Sequence, residues 1–211
     1  MNRNLKCWMA AALLGLAGWS QAAGLVGDAV QITLDSPNGI TGDTSPVNLV
    51  DMATVLSPGQ EVAAGDGSNV GSFMLPGEFI DFDAYTITVR IGTGAVDTRG
   101  QFPGYGADAV YLFEDLDIAG EIIIGASITA NSGFSNFDAA WLQMLGPDAL
   151  SLALDTMLFS PGLPDAQTFG ELTITLLTRV DENNHVPEPG SLLLAGLALA
   201  ALRFGGRRAA R

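Results

Sequence analysis

Carboxylates are the only side chains here numerous enough to do chemistry. Residues 23–186 hold 22 Asp and Glu against three arginines, Arg90, Arg99 and Arg179, a formal charge of −19. The same stretch has no Cys and no Lys, and its one His, His185, stands at its end. Zinc sites with thiolate or clustered imidazole ligands, Schiff-base lysines and His-based triads are therefore ruled out. So is binding to a nucleic-acid backbone, since nothing neutralises the phosphates.

Hard oxygen ligands leave calcium as the one metal this composition permits, and no other cofactor is expected. Asp81 and Asp83 would share one face of a strand, and Asp115 and Asp117 form a second acidic pair. None of these fits a twelve-residue calcium loop or a glycine-aspartate repeat, and dispersed acids read first as a solvated surface. A glycoside hydrolase could work with two carboxylates about 5 to 10 Å apart. Glu78, Glu114, Glu121 and Glu171 are of the right type, but nothing in the sequence pairs them. Glycan binding without chemistry needs only an aromatic platform, and the loop-like segment with Phe102 and Tyr105 is the best candidate. Trp141, between Ala140 and Leu142, reads as core.

Many short strands must position these residues. Residues 30–34, 87–91, 150–154 and 172–176 alternate apolar and polar, so each has one dry and one wet face. Weaker candidates are 47–55, 61–64, 70–75, 79–82, 109–113, 121–124 and 127–130; residues 137–145 read as a helical turn or as a strand with Trp141 inward. Turn chemistry separates them, as at Ser36-Pro37-Asn38-Gly39, Leu75-Pro76-Gly77 and Ser132-Gly133. This pattern predicts an all-β fold, an antiparallel β-sandwich of the jelly-roll kind with eight to ten strands, over residues 23–180. With no cysteine, it must hold together through its core alone.

The ends read as addresses. Residues 1–22 carry Arg3 and Lys6, then an apolar run of about a dozen residues, then Ser20-Gln21-Ala22, the tripartite pattern of a secretory signal peptide. Residues 181–186 are a polar linker. Val186-Pro187-Glu188-Pro189 then leads into a short apolar run containing Leu192, Leu193, Leu194, Leu197, Leu199 and Leu202, followed by Arg203, Arg207, Arg208 and Arg211. An apolar helix followed by arginines is a stop-transfer design, with the arginines in the cytoplasm and the acidic domain outside. The run has only 11 residues, so flanking residues must help it span and Arg203 must snorkel. A single C-terminal transmembrane helix is expected.

The order of Pro-Glu-Pro motif, apolar helix and arginine cluster in residues 187–211 resembles the PEP-CTERM sorting signal of Gram-negative bacteria, the substrate tag of exosortase. The short apolar run and the Phe204-Gly205-Gly206 gap between arginines depart from that pattern. The resemblance implies that a membrane-embedded cysteine protease of transpeptidase type recognises Pro187-Glu188-Pro189 while the chain sits in the inner membrane. It cuts nearby and passes the protein to the surface, often in species that make exopolysaccharide. The expected role is therefore non-enzymatic, at the cell surface or in an exopolysaccharide matrix. A calcium- or carbohydrate-binding module is the alternative, and a two-carboxylate hydrolase stands further off.

Overall fold

A computed structural model describes residues 24–39, 43–92, 104–160 and 169–181. The described strands belong to one compact unit, Ala22–Val180. Ten strands run β1 (Ala29–Ser36), β2 (Val47–Thr54), β3 (Val62–Ala63), β4 (Phe79–Phe82), β5 (Thr86–Gly92), β6 (Val110–Glu114), β7 (Glu121–Ser132), β8 (Leu142–Met144), β9 (Leu150–Ala153) and β10 (Phe169–Val180). They form two antiparallel five-stranded sheets, ordered β2-β1-β6-β9-β8 and β3-β4-β5-β10-β7. The fold is all-β, and the one helical element among the described residues is a three-residue 3-10 turn, Ala139–Trp141.

Period-two alternation does what it predicts. Val30, Ile32 and Leu34 of β1, Ile87, Val89 and Ile91 of β5, and Leu172, Ile174 and Leu176 of β10 all point into one shared core. The Phe82 and Phe113 rings meet edge to face across it, with centroids 5.7 Å apart, joining β4 of one sheet to β6 of the other. Trp141 is buried beside Phe134, as its apolar neighbours suggest.

Two expectations about elements need correction. Residues 70–75 form turns, not a strand, with Phe73 and Met74 N–H both donating to the Val70 carbonyl. Two acids set the turn: the Asp66 carboxylate accepts from the N–H groups of Ala63 and Ser68, curling the chain ahead of Val70, and the Asp51 carboxylate of β2 accepts from the Val70 N–H. Residues 121–124 and 127–130 are one continuous strand, because the backbone at Gly125 keeps pairing, with Leu177 of β10.

The expected signal peptide (1–22), most of the linker and the sorting segment (187–211) lie outside the described residues. Among the described residues, no helix is long and apolar enough to cross a membrane.

Candidate functional site

The most unusual chemistry in the domain is a carboxylate in its core. Glu78 follows a tight turn in which Gly77 takes a left-handed φ of 93°, and the Glu78 N–H donates to the Leu75 carbonyl. The turn points the side chain inward, where Glu78 is only 2% exposed. Its Oε2 accepts from the Leu75 N–H at 2.8 Å and its Oε1 from the Gly92 N–H. Tyr105 Oη donates to Oε2 at 3.5 Å and lies 2.9 Å from Tyr111 Oη, so carboxylate and phenols form one buried polar chain. Gly92 permits this closeness, since a Cβ there would stand 3.2 Å from Glu78 Oε1.

Burial pushes the Glu78 carboxyl up to about 6, against the opposing pull of its hydrogen bonds from Gly92, Leu75 and Tyr105. Burial also raises both tyrosines, and a charged Glu78 nearby adds to it. A carboxyl poised near 6 has the proton affinity of a general acid. Yet its hydrogen-bond partners are two backbone N–H groups and a phenol; a second carboxylate is not among them. The arrangement ties the 75–78 turn, the end of β5 and the segment entering β6 to one point.

The other glutamates considered for hydrolysis sit apart. Glu114 accepts from Gln31 Nε2 at 2.6 Å across β1 and β6. Glu121 accepts from Tyr85 Oη at 2.9 Å and from Thr178 Oγ1, while Glu171 lies opposite Arg90 on the outward face of β10.

Asp81 and Asp83 are close enough to interact. Asp81 lies on β4, where burial and then the Asp83 charge raise its carboxyl above the ordinary range. Asp83, just past the strand, accepts from Ser57 Oγ at 3.2 Å and from the Ala84 N–H. Asp115 takes a left-handed φ of 58° after β6, and the Asp117 N–H donates to the Asp28 carboxylate at 3.0 Å. The first pair lies at the end of β4 and the second follows β6, strands of different sheets, and no group of three or more Asp, Glu, His or Cys among the described residues could hold a metal.

Phe102 lies outside the described residues. Tyr105, read from sequence as part of a loop-like aromatic segment, turns its hydroxyl into the core and packs its ring against Tyr111, with centroids 6.1 Å apart. On the outward face of the second sheet, the Arg90 guanidinium covers the Phe169 ring at 4.5 Å and lies 5.8 Å from that of Phe79.

The sequence places Glu61 only at the start of a candidate strand and gives it no chemical role. It accepts from the Leu56 and Phe82 N–H groups, both at 2.7 Å, and partial burial raises its carboxyl. Neither Glu61 nor Glu78 stands in a local motif. The one signal of Glu78's position is its place directly after a Pro-Gly turn and before an apolar strand.

Residues 185–209 match the PEP-CTERM protein-sorting motif. No curated protein and no solved structure matches the chain.

Proposed function

We propose that this chain is an exported, non-enzymatic protein of the cell surface or extracellular matrix, delivered there by an exosortase-type membrane enzyme. The observation that carries this reading is the sorting motif at residues 185–209. Its parts have the order such processing requires: a Pro187-Glu188-Pro189 motif for recognition, an apolar run for membrane retention, and arginines to hold the end in the cytoplasm. The N-terminal 22 residues serve as the export signal, and the C-terminal span is a temporary anchor.

The folded part, an antiparallel β-sandwich in this reading, suits passive duty outside the cell. Its charge keeps copies soluble and permits bridging to acidic exopolysaccharide through divalent cations. Of the two aromatics offered for a glycan platform, Tyr105 is engaged with Glu78.

The test is replacement of Pro187, Glu188 and Pro189 together by alanine. Full-length protein should then accumulate in the inner membrane. Normal processing and release of the altered chain would overturn the assignment.

A further inference from the structure

Each sheet has two edges, and three of the four are blunted. β3 has two residues and β8 three, too short to template another strand. β2 is longer, but the 66–74 loop is tied to its middle: Asn69 Nδ2 donates to the Val50 carbonyl, and the Asp51 carboxylate accepts from the N–H groups of Asn69 and Val70 at 2.9 and 2.6 Å. Asp51 is thus an inward-turned charge of the kind that protects edges.

The fourth edge, β7, is long and, among the described residues, is guarded only by two irregularities in its pairing and by the nearby β8. It runs twelve residues, Glu-Ile-Ile-Ile-Gly-Ala-Ser-Ile-Thr-Ala-Asn-Ser, and pairs on one side with β10. Among the described residues, no strand pairs with its other side. It contains no Pro, no Lys and no Arg, and its single charge, Glu121, is at one end. Two irregularities in the pairing with β10, near Ile124 and Thr129, twist it but leave Gly125 to Ile128 in regular register. Ile124 is 60% exposed beside the half-exposed Leu177 of β10, so the open edge also carries apolar surface.

We infer that β7 pairs with β7 of a second copy of this chain, antiparallel about a two-fold axis, joining two sheets into one continuous ten-stranded sheet. A second copy offers the same near-neutral strand, and charge sets the orientation. Two domains this acidic repel one another over most of their surface, and β7 is a long stretch where copies can meet with almost no like charge. Antiparallel pairing places each Glu121 against the uncharged Ala130-Asn131-Ser132 end of the other strand, about 37 Å from its equivalent if the strands are centred on one another. Parallel pairing would set the two Glu121 side by side. Such a contact is isologous and closes at two copies.

A cysteine scan of the full chain tests this. Cys7, the one native thiol, is replaced by serine, single cysteines are placed in turn at Glu121, Ile124, Ser127, Ala130 and Ser132, and a short bifunctional maleimide is added to cell extracts. The reagent needs no oxidising compartment, so the outcome is independent of whether the chain is exported. A two-fold contact gives a peak of chain-to-chain dimer at one position, falling about tenfold toward both ends, as the effective concentration of paired thiols drops with distance. Adding Ile124→Lys and Ala130→Lys, both at exposed positions, should abolish the peak while the melting temperature holds; if the lysines lower it, the position dependence alone decides. A flat yield along β7, a yield no higher than at an exposed Met52→Cys control on β2, or adducts with other proteins in place of the dimer would overturn the inference.

Discussion

Tyr105 Oη stands 2.9 Å from Tyr111 Oη and 3.5 Å from Glu78 Oε2, so a single hydroxyl links a buried carboxylate to a second buried phenol. Proton direction along this chain follows the state of Glu78. When ionised, it accepts from Tyr105, which can then accept from Tyr111. When neutral, it can donate to Tyr105, which then donates onward. Either way each oxygen keeps a partner, and no buried side-chain polar atom among the described residues is left without one.

Stability should therefore fall as pH rises through the range set by Glu78. The folded carboxyl titrates at about 6, above its ordinary 4.5, so between these values the folded chain holds a proton that the unfolded chain has released. The contribution is fully present below about 4.5 and lost above about 6, a difference of about 2 kcal/mol. Denaturant midpoints of wild type and Glu78→Gln, compared from pH 4 to 7, isolate it from the other acids. Wild type should lose about 2 kcal/mol relative to the variant across that range. A constant gap between the two would mean that Glu78 ionises freely.

The two tyrosines should differ in cost. Tyr111→Phe removes the end of the chain and leaves Tyr105 bonded to Glu78, at about 1 kcal/mol. Tyr105→Phe removes the link and strands the Tyr111 hydroxyl, in a residue 1% exposed, without its partner. The cost should reach about 2 to 3 kcal/mol, because an unsatisfied buried hydroxyl adds its desolvation penalty. Chemical denaturation at pH 7 decides, and equal losses would contradict the linear chain.

Glycines in the second sheet offer a steric contrast. A Cβ on Gly170 would fall 2.2 Å from Phe134 Cζ, inside the core, whereas one on Gly125 would meet the Leu177 side chain at an ordinary 3.6 Å. Gly170→Ala should cost about 1 to 3 kcal/mol through overpacking. Gly125→Ala should be neutral or stabilise by up to about 1 kcal/mol, by restricting the unfolded chain. Thermal melts of both variants check this pair, and Gly170→Ala as stable as wild type would show that Phe134 moves aside freely.

Strand existence was legible because alternation is a local signal. Residues 30–34, 87–91, 150–154 and 172–176 all became strands, each facing the one core. Residues 70–75 were not legible, because their fate is set by Asp66 and Asp51, acids whose hydrogen bonds reach along and across the chain. The Glu78–Tyr105–Tyr111 chain was hidden for the same reason: its members are 27 and 6 residues apart, and only sheet packing brings them together. The sorting motif was legible, since its recognition depends on residue order within one short segment and needs no fold.

Asp51 should prove to be what keeps β2 from behaving as β7 does. Its carboxylate accepts two backbone N–H bonds from Asn69 and Val70, which hold the loop over the strand, while Asn69 covers the Val50 carbonyl. Asp51→Ala removes both charge-assisted bonds, at about 1.5 to 3 kcal/mol each before relaxation, and lets the loop lift away. An eight-residue edge with exposed Val50 and Met52 would then be open. The variant should gain association through β2, read as new cross-linking at Met52→Cys and as light scattering that rises with concentration. Asp51→Asn, which keeps one acceptor oxygen, should lie between the two. If Asp51→Ala loses stability but Met52→Cys still fails to cross-link, the loop is held by the burial of Val70, and edge protection does not rest on Asp51.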